Sequence, residues 1–167
     1  MAGNSKPNVD LSIYGEANYV INDSFSKGHQ INDVYTGKVG RYLFDGLIGA
    51  VNNNTTFIWM YNTTDFVDIT IGQSCNIWTI RRQDLSTGTS YCAPLIVKKY
   101  NTTTKLWETT SIVDNTTVIA KGLWTKSFIN ISAGRYRFEK KVTANRYDTE
   151  WYLEALEPVN NFSTYII

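Results

Sequence analysis

Nucleophilic or metal chemistry in this chain would have to run through very few side chains. There is one histidine, His29, and two cysteines, Cys75 and Cys92. A zinc site needs a cluster of thiolate and imidazole ligands, and three such residues scattered along the sequence do not supply one. His29 sits in the polar stretch from Asn22 to Asn32, with no nucleophile-elbow sequence nearby, and reads as a solvated loop histidine rather than a member of a triad. Acids are more numerous and need a geometric test. Asp65 and Asp68 are an odd number of positions apart, so on a strand they point to opposite faces. Glu150 and Glu154 share a face, but four strand residues separate them by about 13 Å, beyond either glycosidase spacing of roughly 5 to 9.5 Å. No catalytic residue is assigned, and the chain is expected not to be an enzyme. No cofactor is expected either. A structural calcium ion is compatible with the Asp- and Asn-bearing loops, although none has the alternating-acid spacing of a dedicated site.

Aromatic residues are the remaining source of specific chemistry. Surfaces that bind sugars stack the apolar face of a pyranose on Trp or Tyr and use polar side chains for the hydroxyls. Five tryptophans and eleven tyrosines are more than a core of this size requires. Trp78, Trp124 and Trp151 each lie in an alternating strand with apolar neighbours and are assigned to the core. Trp59, Tyr61, Tyr100 and Trp107 flank two Asn-Thr-Thr turns, at Asn62 and Asn101, where exposure is expected. These four are the candidate ligand-binding residues.

The elements that would position them are short strands. Tyr136 and Phe138 alternate with Arg135, Arg137 and Glu139, and Trp151, Leu153 and Ala155 alternate with Tyr152 and Glu154. That period of two marks strands with one buried face, and together they read as a closing hairpin. Further strands are expected at Val9–Tyr14, Phe57–Tyr61, Asp65–Gly72, Ile77–Arg82, Ala93–Tyr100, Leu106–Glu108 and Leu123–Ile131, with shorter apolar runs at Tyr19–Ile21, Ile112–Val113 and Val118–Ala120. The segments around Asn62 and Asn101 read as two similar hairpins. Some nine or ten strands with turn signals every 8 to 12 residues or so are the pattern of a β-sandwich or barrel, and the fold class is therefore all-β, an antiparallel β-sandwich of jelly-roll type.

Composition agrees. The chain is 43% hydrophobic, 14% aromatic and only 19% charged, against about 25% charged in ordinary soluble domains. At 167 residues it fits one domain, expected over 9–167, with residues 1–8 as a flexible leader. A net charge of +1 removes the long-range drive for nucleic-acid binding, and the pairs Arg81-Arg82, Lys98-Lys99 and Lys140-Lys141 read as residues on the two faces of strands. No apolar run approaches the roughly 20 residues of a membrane span, and no apolar signal-peptide core follows Met1, so no membrane insertion is expected. Cys75 and Cys92 could form one disulfide, with two buried thiols the favoured alternative. Acceptor sequences for N-glycosylation at Asn22, Asn53, Asn54, Asn62, Asn101, Asn115, Asn130 and Asn161 are accounted for by turn composition.

Gly134-Arg135-Tyr136-Arg137-Phe138, followed by Arg146, Asp148, Glu150-Trp151 and Glu154, and preceded by Trp124-Thr125-Lys126, resembles the end of the galactose-binding or discoidin-like jelly-roll domains found in tail and surface proteins of Gram-positive bacteria and their phages. The likeness covers about the last forty-five residues. It implies a noncatalytic appendage that binds a cell-surface glycan or polymer, located on a virion tail or the outside of a cell, within a longer or homo-oligomeric fibre. The rival class is a structural virion or surface module that mediates subunit assembly.

Overall fold

The computed structural model describes residues 19–25, 43, 58–60, 63, 65–81, 93–115 and 123–157. The expected leader, the strand at Val9–Tyr14, His29, Tyr61, Cys92 and the run at Val118–Ala120 lie outside them. Among the described residues there are nine strands: β1 (Tyr19–Phe25), β2 (Ile58–Met60), β3 (Phe66–Ile71), β4 (Cys75–Arg81), β5 (Leu95–Asn101), β6 (Leu106–Thr109), β7 (Trp124–Ile131), β8 (Gly134–Lys140) and β9 (Arg146–Ala155). They form two antiparallel sheets, one of five strands in the order β1-β3-β8-β5-β6 and one of four in the order β2-β9-β4-β7. Among the described residues the fold is an all-β sandwich, as the strand pattern requires.

Apolar positions of period two meet between the sheets. Val67, Ile69 and Ile71 of β3, Leu95 and Val97 of β5, and Tyr136 and Phe138 of β8 form one wall. Cys75 and Ile77 of β4, Phe128 and Ile131 of β7, and Trp151, Leu153 and Ala155 of β9 form the other. Three rings join the walls at the centre: Phe138 lies 5.0 Å from Phe128 and 5.1 Å from Trp151, both edge to face. Such contacts add about 0.5–1.5 kcal/mol each beyond the area they bury. Leu43 reaches the same core. The Cys75 thiol is free and buried, and burial, helped by Glu154, pushes its pKa up to about 12, so it serves as a small apolar side chain.

The connections differ from the expected ones. β8 and β9 do not pair with each other. β8 hydrogen-bonds to β3 and β5, whereas β9 hydrogen-bonds to β2 and β4 in the opposite sheet. The stretch from Gly134 to Ala155 is an arch between sheets, and the five residues Lys141–Asn145 make the crossing. β2 and β3, which flank Asn62, belong to different sheets and so do not pair as a hairpin. The segment around Asn101 is a true hairpin, with Tyr100 opposite Trp107 and Asn101 opposite Leu106. Among the described strands, only β5 and β6 follow one another within one sheet. An arch and a hairpin bury the same alternate residues, so periodicity alone cannot separate them.

Two further expectations change. β1 continues through Asn22 to Phe25 into the stretch expected to be loop, because its edge position pairs it with β3. Of the three tryptophans assigned to the core, only Trp151 is fully buried. Trp78 and Trp124 are half-buried.

Candidate functional site

The hairpin β5–β6 forms one edge of the five-stranded sheet, and its turn explains why two candidate aromatics stand together. Asn101 accepts hydrogen bonds at Oδ1 from the amides of Thr103 and Thr104, 2.9 and 3.1 Å away, the local pattern that makes Asn a turn former. Its Nδ2 donates to Glu108 across the hairpin at 2.7 Å. Lys105 takes a left-handed conformation, φ 61°, and its amide donates to the Asn101 carbonyl at 2.9 Å to close the loop. With the register held in this way, Tyr100 and Trp107 are direct cross-strand neighbours, their rings edge to face at 5.2 Å.

The outer face of β8 supplies what lies against them. Arg135 and Arg137 project on the face opposite Tyr136 and Phe138. The Arg137 guanidinium lies 4.4 Å from the Trp107 ring centre and 3.7 Å from that of Phe66, and that of Arg135 lies 5.3 Å from Trp107 and 5.4 Å from Tyr100. Asp68, fully buried on β3, accepts from Arg137 Nε at 2.8 Å and Nη2 at 3.0 Å, the bidentate geometry that compensates a buried carboxylate. The result is a platform of alternating rings and guanidiniums laid across β3, β8, β5 and β6.

On the other face of the hairpin, to which Lys99, Asn101 and Glu108 point, is a shallow depression of about 270 Å³, lined by Lys99, Tyr100, Asn101, Thr102 and Glu108. This is just below the roughly 300 Å³ at which small-molecule pockets begin.

Two of the four expected ligand-binding residues, Tyr100 and Trp107, are thus brought together, both half-buried. Trp59 stands on β2 in the other sheet, and Tyr61 lies outside the described residues. The Arg135, Arg137, Asp68 and Phe66 contributions were not read from sequence. An Arg-Xaa-Arg pair on the polar face of a strand was the available signal, but which aromatics would lie beside it depended on β5 being the neighbour of β8.

Two of the acids weighed for catalysis, Asp68 and Glu154, are engaged in ion pairs. Asp68 is held by Arg137. Glu154 accepts from Asn76 at 2.7 Å and Trp78 at 3.2 Å and pairs with Lys126 at 3.1 Å, while the Lys126 ammonium lies 4.9 Å from the Trp78 ring centre. A third cluster is buried at one end of the sandwich. Arg146 donates to Asp148 at 2.8 Å, to Asp114 at 2.6 Å and to the Ala93 carbonyl at 3.0 Å, and Trp151 Nε1 donates to Asp148 at 2.9 Å. Burial opposes the Arg146 charge, but the Asp114 and Asp148 carboxylates outweigh it and raise its pKa further. This cluster ties β9 to the start of β5 and to the segment after β6. Among the described residues no three His, Cys, Asp or Glu side chains gather as a metal-binding group.

No family model and no curated protein matches the sequence. Solved structures match in fold. An F5/8 type C domain from Bacteroides fragilis superposes with a TM-score of 0.54 at 12% identity, over 85% of this chain and 99% of that one. The fold is the discoidin-like jelly roll. The family 32 carbohydrate-binding module of Streptococcus pneumoniae EndoD is similar too, with a TM-score of 0.51 at 10% identity over 84% of this chain and 97% of that one. So is the CBM62 of Clostridium thermocellum Xyl5A, with a TM-score of 0.53 at 14% identity over 88% and 100%. This discoidin-like jelly roll agrees with the resemblance carried by residues 124–154, and at such identities the agreement concerns architecture alone.

Proposed function

We propose that the domain is a noncatalytic carbohydrate-binding module whose contact surface is the edge hairpin β5–β6. The observation that carries this is the half-exposed Tyr100–Trp107 pair on the outer face of the hairpin, beside the Arg135 and Arg137 guanidiniums. A sugar ring would stack on the exposed part of the pair, with the Arg135 guanidinium on the same face available to its substituents. Several domains of this fold are carbohydrate-binding modules by name, which supports the reading by analogy of fold. The sequence resemblance supports a setting in a tail or surface protein of a Gram-positive bacterium or its phage, facing a cell-surface glycan or polymer.

The test is binding of the full chain to a broad glycan array and to bacterial cell walls, with Trp107→Ala beside the wild type. Trp107 lies on an edge strand and is only half-buried, so the variant is expected to keep its fold while losing binding roughly tenfold or more, the scale of one stacking contact. A blank array together with a stable oligomer in sedimentation would overturn the reading in favour of a structural module whose platform is covered by a neighbouring subunit.

A further inference from the structure

We infer that the glycan taken by this platform is an acidic one, whose carboxylate, sulfate or phosphate is bound by Arg135; the inference rests on the carbohydrate reading above. Among the described residues the cations on the outer face of the five-stranded sheet are held unequally, and Arg135 is held most loosely. Arg137 is taken by Asp68 in a bidentate bond, and Lys98 donates to Glu139 at 2.8 Å. Arg135 comes no closer than 3.7 Å to Asp68. Among the described residues it makes no hydrogen bond, and its Nε is buried without a partner. On the other face of the hairpin, Lys99 donates to Ser132 Oγ at 3.1 Å and Glu108 accepts from Asn101 at 2.7 Å.

What holds Arg135 in place is the pair of rings, Tyr100 and Trp107, at 5.4 and 5.3 Å from its guanidinium carbon. A guanidinium held beside aromatic rings keeps its N–H groups for an acceptor, and they form a rigid planar fork that matches a carboxylate, sulfate or phosphate in two hydrogen bonds. Because the rings already restrict the side chain, little further ordering is needed when an anion binds. The side chain is 38% exposed, so an arriving ligand can reach it. A sugar ring on Tyr100 and Trp107 would bring its own substituents beside this fork. A neutral sugar would leave the exposed part of the guanidinium without a charged acceptor, whereas an acidic sugar engages the rings and the guanidinium together.

The inference is tested with two matched polymer pairs and the full chain: homogalacturonan against its methyl ester, and dextran sulfate against dextran, each by affinity electrophoresis at low salt. The charged member of at least one pair is expected to bind roughly tenfold more tightly than the neutral one, and the pair that responds tells carboxylate from sulfate recognition. Arg135→Gln is expected to remove that preference, Arg135→Lys to restore only part of it because the planar fork is gone, and Lys98→Gln to change it less than twofold. Equal loss in Arg135→Gln and Lys98→Gln would overturn the inference, since the preference would then report net charge. Equal affinity within both pairs, or no retention on any of the four polymers, would overturn it too. The carbohydrate reading stands or falls separately, on the response of the broad array to Trp107→Ala.

Discussion

Glu154 shows how a single side chain on the outer face of the four-stranded sheet is tuned by its neighbours. Burial pushes its carboxyl up, but hydrogen bonds from Asn76, Trp78 and Lys126, with the Lys126 charge, outweigh this and hold it below its ordinary value of 4.5. A carboxyl whose pKa is lower in the folded than in the unfolded chain stabilises the fold fully above the unfolded value and loses that contribution as pH falls through the folded one. The stability difference between wild type and Glu154→Gln should therefore be constant near neutrality and shrink between about pH 5 and pH 3. Urea titrations of both proteins across that range check it, and a difference independent of pH would refute it. Asp68, also weighed as a catalytic acid in sequence, is instead the anchor that keeps Arg137 over Phe66 and Trp107.

At the scale of elements, the passage from β7 to β8 is the tightest crossing among the described strands. Only Ser132 and Ala133 lie between Ile131 and Gly134, and three Cα steps reach about 11 Å against the roughly 10 Å between packed sheets. Gly134 completes the crossing at φ 151°, a backbone conformation that side chains with a Cβ rarely adopt. A Cβ there would also come within 2.7 Å of Lys99 Cε, which can swing away, so the backbone strain is the larger cost. Gly134→Ala is expected to lower stability by about 1–3 kcal/mol, measured by urea denaturation; no change would mean the crossing adjusts without it. Sequence reading found the Ser132-Ala133-Gly134 turn and both flanking strands. It could not find that the turn joins two sheets, because the signal of a turn is its residue types and not the distance it spans.

At the scale of the whole molecule, the Phe128–Phe138–Trp151 cluster is where the two sheets depend on each other most. Phe138→Ala removes the central ring, and its neighbours belong to a sandwich whose sheets are each hydrogen-bonded across three or more strands. The cavity cannot collapse freely, so the expected cost is about 3–5 kcal/mol; a chemical melt that shifts by under 1 kcal/mol would show that the sheets repack around the gap. The sequence by itself determined the class of the fold, most strand positions and which residues of β3, β8 and β9 face inward, because burial on one side of a strand imprints a period of two on the chain. It also brought out Tyr100 and Trp107, since the hairpin that pairs them is local. Which strands are neighbours was decided only by the tertiary structure. Arg135 and Arg137 of β8 meet Tyr100 and Trp107 because β5 lies beside β8, a pairing between segments some forty residues apart in sequence that no local pattern records. The closing segment shows the same division: the alternation of Tyr136, Phe138, Trp151 and Leu153 was legible, while their placement on opposite walls of the sandwich was set by the packing of one sheet on the other.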